Sequence, residues 1–121
     1  MTTPLTVYAY NRCSTCRQAI KWLEAQGHTL TVIQITDTPP PAALLRAILD
    51  SGDYTRRELF NTSGVQYREL GMKDRLPTLS DDEAIDLLAA NGKLCKRPIV
   101  TDGTRHTVGF REATYASTWA R

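Results

Sequence analysis

Thr6-Val7-Tyr8-Ala9-Tyr10-Asn11-Arg12-Cys13-Ser14-Thr15-Cys16-Arg17 is the stretch on which the reading of this chain turns. Val7 and Ala9 alternate with Thr6, Tyr8 and Tyr10, the period of a pleated strand. After Arg17 the period lengthens: Ala19, Ile20 and Leu23 fall on one helical face, and Gly27 supplies a C-terminal stop. Two cysteines therefore sit where a strand becomes a helix. The first amides of a helix lack intrahelical partners, and the helix dipole puts partial positive charge there. A thiolate at that end is favoured over a thiol, and Arg12 and Arg17 add full positive charge nearby. Cys16, about one helical turn beyond Cys13, is placed to attack a sulfur bonded to it. The expectation is an attacking thiol, Cys13, and a resolving thiol, Cys16.

Two blander readings use the same residues. Cysteines three apart can be ordinary small core residues. Cys13, Cys16, Cys95, His28 and His106 could together supply four zinc ligands, but no second C-x-x-C or H-x-x-x-H pair accompanies them. No metal is expected.

The chain has 121 residues, enough for one domain with a hydrophobic core that needs neither disulfides nor metal. Three cysteines are too few for a secreted disulfide scaffold. Met1-Thr2-Thr3-Pro4-Leu5-Thr6 carries no basic-plus-apolar leader pattern, and no apolar run is long enough to span a bilayer. A cytoplasmic, monomeric protein with reduced thiols is expected. The net charge of +2 gives no field that would recruit nucleic acid directly or an anionic membrane.

Onward from the first helix, residues 29–35 form a second strand candidate, rich in β-branched residues and expected to be buried on both faces. Thr36-Asp37-Thr38-Pro39-Pro40-Pro41 ends it and starts a helix running to about Asp50, with Asp37 or Thr38 as cap. Thr55…Glu58 and Ser80…Glu83 have the spacing of capping boxes. Asn61-Thr62-Ser63-Gly64 is a turn, and Gly92 terminates a helix over 81–90. Residues 38–92 thus read as a helical block inserted between strands. Pro98 leads into a strand, Asp102-Gly103 turns it, residues 107–110 return antiparallel, and Arg111-Glu112 opens a last helix ending near Trp119. The order is β-α-β, helices, β-β-α. The expected fold class is α/β, a thioredoxin-like mixed four-stranded sheet with a helical insertion, in one domain spanning 1–121.

Asn11-Arg12-Cys13-Ser14-Thr15-Cys16-Arg17, Leu59-Phe60-Asn61-Thr62-Ser63-Gly64, Tyr67-Arg68-Glu69-Leu70-Gly71, Lys96-Arg97-Pro98-Ile99-Val100 and Val108-Gly109-Phe110-Arg111 together resemble the arsenate-reductase-like family (ArsC/Spx/MgsR). That family holds glutaredoxin-coupled arsenate reductases and Spx-type redox regulators. The resemblance implies that Cys13 is the attacking cysteine, that Arg97 and Arg111 bind an oxyanion, and that Pro98 is a cis proline bringing Arg97 beside the cysteine turn. It implies no bound cofactor, with glutathione, glutaredoxin or thioredoxin as electron donor, and a small oxyanion or disulfide as substrate. The position of a third oxyanion arginine falls at or near Asn61, and single-cysteine arsenate reductases have no counterpart of Cys16. The Cys13–Cys16 pair is similar to the Spx switch, which makes a redox-sensing regulator contacting RNA polymerase the alternative. Spx-type proteins extend into a longer charged tail, whereas this sequence ends at Arg121, and the reductase reading ranks first.

The remaining candidates read as follows. Arg12 and Arg17 supply field without direct ligation. Cys95 is structural, His28 and His106 are solvated, and Trp22 and Trp119 pack. Tyr8 and Tyr10 share a strand face and either pack or border the thiol.

Overall fold

A computed structural model describes residues 4–121; residues 1–3, the start of the N-terminal stretch read above, lie outside it. The elements in order are β1 (Leu5–Ala9), α1 (Ser14–Ala25), β2 (Leu30–Gln34), α2 (Ala42–Asp50), α3 (Val65–Glu69), α4 (Met72–Arg75), α5 (Asp81–Ala90), β3 (Ile99–Thr101), β4 (His106–Val108) and α6 (Glu112–Trp119). Among the described residues, 3-10 turns at Arg57–Leu59 and Leu76–Thr78 lie between helices of the middle segment, and one at Gly92–Leu94 follows α5. The chain divides into two compact units: Met1–Gln34 with Arg97–Arg121, and Ile35–Lys96. No helix of the described residues is long and apolar enough to cross a membrane.

In the first unit the strands lie in the order β2-β1-β3-β4. β1 runs parallel to β2, with Val7 opposite Val32, and antiparallel to β3, with Val7 opposite Val100 and Tyr8 opposite Ile99. β3 pairs antiparallel with β4. α1 and α6 contribute Ala19, Leu23, Tyr115 and Trp119 to a core with Leu5, Val7, Ala9, Cys16 and Val100. The Tyr115 ring meets Trp22 and Phe110 edge to face, and its hydroxyl donates to Gly109 O at 2.9 Å. Trp119 Nε1 donates to Thr107 Oγ1 at 2.9 Å. Both tryptophans therefore pack, as expected. Gly27 ends α1 at φ +88°, a left-handed conformation that glycine adopts without a Cβ penalty. This β-α-β, β-β-α order on a mixed four-stranded sheet is a thioredoxin-like fold, with the helical segment inserted between β2 and β3.

Three expectations fail here. β2 is not buried on both faces: it is a sheet edge, and Val32 stays 47% exposed. Neither histidine is simply solvated. His28 Nε2 donates to Trp119 O, joining the turn after α1 to the end of α6. His106 Nδ1 shares a 2.7 Å hydrogen bond with Thr101 Oγ1 across the β3–β4 hairpin.

In the second unit α2 packs on α5, and Leu45, Ile48, Leu59, Phe60, Met72, Ile85, Leu88 and Leu94 are buried. Both capping boxes form. Ser80 Oγ accepts from Glu83 N at 3.1 Å while Glu83 Oε1 accepts from Ser80 N at 3.0 Å; Thr55 and Glu58 repeat the exchange at a 3-10 turn. Pro41, not Asp37 or Thr38, is the N-cap of α2, and it makes no side-chain cap. The consecutive prolines hold the chain extended until that residue, which leaves the two candidate caps too far upstream. Gly92 is not a helix terminator either. Asn91 caps α5 and Gly92 opens the next turn, where a Cβ would lie 1.7 Å from Ile35 O. The residue is glycine because backbone passes directly over it.

Candidate active site at the start of the first helix

Cys13 is the N-cap of α1, in extended conformation (φ −107°, ψ 114°). Its sulfur takes the part that a serine or threonine oxygen usually plays: Sγ accepts the backbone N–H of Cys16, three residues on, at 3.3 Å. The turn before it is closed by Cys13 N donating to Tyr10 O at 3.1 Å. Burial opposes ionisation of Cys13. The Cys16 thiol, the Cys16 amide and the Arg97 guanidinium outweigh it, and the pKa falls below that of an ordinary cysteine.

Cys16 differs in environment although it is one turn away. Its side chain belongs to the hydrophobic core, and burial first, then the adjacent Cys13, push its pKa up to about 12 against the backbone of Tyr10 and the charge of Arg97. The two sulfurs form a pair with a single easily lost proton, and the half-buried Cys13 is the one that loses it. Both cysteines are free thiols.

Arg97 comes to this site from the far end of the sequence. The Arg97–Pro98 peptide bond is cis, immediately ahead of β3. The guanidinium carbon lies 4.6 Å from the centroid of the Tyr10 ring, and the guanidinium is one of the groups that lower the Cys13 pKa. Tyr10 thus borders the thiol, while Tyr8, one step back on the strand, is buried. The other arginines stand elsewhere. Arg12 and Arg17 are exposed, and Arg17 Nη1 donates to Asn11 O at 3.3 Å. Arg111 is the exposed N-cap residue of α6 and makes no side-chain cap. Cys13, Cys16, Arg97 and Tyr10 are brought together; Arg12, Arg17 and Arg111 are exposed.

Cys95 has the surroundings of a structural residue. It is fully buried in the second unit, and its Sγ donates to Leu88 O at 3.5 Å. Among the described residues no three His, Cys, Asp or Glu side chains converge in a way that could hold a metal ion. The stacking of Arg97 on Tyr10 was not foreseen. The signal for it is the strand register, which no local pattern contains: Tyr8 opposite Ile99 carries Tyr10 across from Arg97.

The start of α1 thus gathers a cysteine of lowered pKa, a second thiol one turn on and the Arg97 guanidinium. Known proteins resemble the chain over most of its length. The chain is 45% identical over 116 residues to the uncharacterised protein YusI of Bacillus subtilis, a match covering 96% of this chain and 98% of YusI. It is 31% identical to an arsenate reductase of Rhizobium meliloti, covering 84% of this chain and 72% of that one. It is equally 31% identical to the global transcriptional regulator Spx of Enterococcus faecalis, covering 89% and 80%. Among solved structures it is similar to "a possible arsenate reductase" of Streptococcus mutans, at 41% identity and a TM-score of 0.84 over 91% of this chain and 93% of that one. The model of the ArsC family matches residues 8–118, from the end of β1 into the last turn of α6, and the chain belongs to that family.

Proposed function

We infer that the protein is a thiol-dependent reductase in which Cys13 is the nucleophile and Cys16 the resolving thiol. The observation that carries this reading is the placement of two free thiols in one helical turn, Cys13 half-buried at the N-cap and accepting the Cys16 amide, Cys16 inside the core, a placement that favours the thiolate at the first and the thiol at the second. With a disulfide substrate, the Cys13 thiolate attacks one sulfur, forms a mixed disulfide and expels the other as a thiolate. Cys16 gives up its proton to solvent or to the departing thiolate and attacks Cys13 Sγ. The Cys13–Cys16 disulfide forms and the second half of the substrate leaves. The substrate gains two electrons and the pair loses two. Glutathione, or a glutaredoxin or thioredoxin, then returns them. With arsenate the same thiolate displaces an oxygen, which leaves as water. Attack of Cys16 on Cys13 Sγ then releases arsenic two electrons more reduced. Arg97 supplies the positive charge that either anionic intermediate needs.

The test is a trap. In Cys16→Ser the first step proceeds and the second does not, so incubation with glutathione disulfide accumulates a glutathione adduct on Cys13, visible by mass. Wild type accumulates the internal disulfide instead, and Cys13→Ser accumulates neither. A Cys13→Ser variant that still reduces glutathione disulfide, small disulfides and arsenate ends the proposal.

The similarity to Spx supports a second reading, a redox-sensing regulator that contacts RNA polymerase through a surface set by the Cys13–Cys16 state. Pull-downs from cell extract with the reduced and the oxidised protein test it. Failure to retain a polymerase subunit in either state removes it.

A further inference from the structure

We propose that Tyr10 is a positioning residue of the thiol site: its ring is the wall that holds the Arg97 guanidinium against Cys13. The proposal rests on the reading of Cys13 as the reactive thiol, and it adds the residue that sets how strongly that thiol is activated.

The geometry follows from the sheet. Tyr10 is the first residue beyond β1, and Arg97 lies two residues ahead of β3. In the antiparallel register Tyr8 faces Ile99, and continuing that register past the ends of both strands sets Tyr10 opposite Arg97. The two side chains then meet as a cross-strand pair does, with the guanidinium carbon 4.6 Å from the ring centroid. A guanidinium held over a ring by its carbon still has N–H groups to offer, and the charge of Arg97 is among the causes that lower the Cys13 pKa. An arginine has several rotatable bonds and, at a half-buried position, would otherwise spread over many rotamers. The ring removes those that swing the charge into water.

Tyr10 also reaches the other two members of the site through its backbone. Its carbonyl accepts the Cys13 amide at 3.1 Å, and its backbone is among the groups acting on the Cys16 thiol. Those contacts are indifferent to the side chain, so substitution at Tyr10 isolates what the ring does. The charged and titratable groups facing the Cys13 sulfur are Cys16 from α1 and Arg97 from the segment ahead of β3. Arg12 and Arg17 on the same turn and helix are exposed.

The experiment is the pH dependence of iodoacetamide alkylation at Cys13, followed by mass in the full chain. Tyr10→Leu is expected to move the midpoint upward, so that alkylation below the midpoint slows about two- to fivefold, the range of a partly exposed cation–π contact. Tyr10→Phe, which keeps the ring and loses the hydroxyl, is expected to retain the wild-type midpoint. In an Arg97→Gln background Tyr10→Leu is expected to add nothing. Should Tyr10→Leu lose its native circular dichroism, Tyr10→Gln takes its place. A midpoint unmoved by loss of the ring, or a shift of equal size without Arg97, overturns the proposal. The readout needs no substrate turnover, so a protein that reduces nothing would count against the reductase reading and leave this result standing.

Discussion

The backbone amide of Cys16 donates to the sulfur of Cys13 at 3.3 Å, so a residue whose own thiol is hard to ionise helps ionise its neighbour. That exchange is possible because the N-cap and third residue of a helix face each other, and because one of them lies half-buried at the edge of the core and the other inside it.

The three cysteines should therefore not react alike. Near neutral pH Cys13 is expected to take up iodoacetamide first. Cys16 and Cys95 should stay unmodified until the chain is unfolded, since one is buried with its pKa pushed up to about 12 and the other is fully enclosed. Site-resolved mass spectrometry over a time course reads the order. Modification of Cys16 or Cys95 ahead of Cys13 in the native protein would remove the physical basis of the site.

The same asymmetry has a consequence for stability. Unfolded, Cys16 should lose its proton near pH 8.5. Folded, it keeps that proton to about 12. Above the first value the unfolded chain binds fewer protons than the native one, and stability falls as pH rises. Cys13 has the opposite sign: its lowered folded pKa contributes stability that is present above the unfolded value and lost as pH falls through the folded one. Between about pH 8.5 and 10, below the range where the buried Tyr8 phenol enters, Cys16→Ala should lose less of its urea midpoint than wild type. Parallel curves for the two proteins would show that the buried thiol is not what titrates.

What could be read in the sequence, and what could not, divides along range. The strand-to-helix switch at Cys13, both capping boxes and the glycine stop after α1 depend on residues within a turn of one another, and they stand as read. The β-branched run of β2 looks the same whether a strand is central or at an edge, so the exposure of Val32 had no local sign. His28 and its acceptor on Trp119 are 91 residues apart, and Tyr10 meets Arg97 only through the β1–β3 register. Gly92 resembles any glycine at a helix end. The crossing of Ile35 that requires it is a tertiary fact.

Gly92→Ala should accordingly be among the costlier single changes in the helical segment. Its Cβ would sit 1.7 Å from Ile35 O, where both partners are backbone and no rotamer can relieve the overlap. A loss of roughly 2–4 kcal/mol is expected, the range of severe overpacking. Gly64→Ala is a useful comparison, because its nearest atom, at 2.9 Å, is the side-chain nitrogen of Asn61, which can turn away. Urea denaturation of the two variants should rank Gly92→Ala well below Gly64→Ala. Equal midpoints would mean that the chain at Ile35 gives way easily.

Thr107 and Trp119 allow hydrogen bonding to be separated from packing. Both are buried, and the indole N–H reaches the threonine hydroxyl at 2.9 Å. Thr107→Val keeps the volume and adds apolar surface. By packing alone it should be neutral or stabilising, and valine suits a strand. It also strands the indole N–H, which costs about 1–3 kcal/mol. Thr107→Ser keeps the acceptor and removes a methyl group, a loss of about 0.8 kcal/mol for the buried carbon. If the hydrogen bond is what Trp119 requires, valine destabilises more than serine. In a Trp119→Phe background, with no N–H left to satisfy, the order should reverse. Thermal unfolding of the four variants decides it: an order that does not reverse with the indole gone would assign the stability of this corner to shape and leave the hydrogen bond as a bystander.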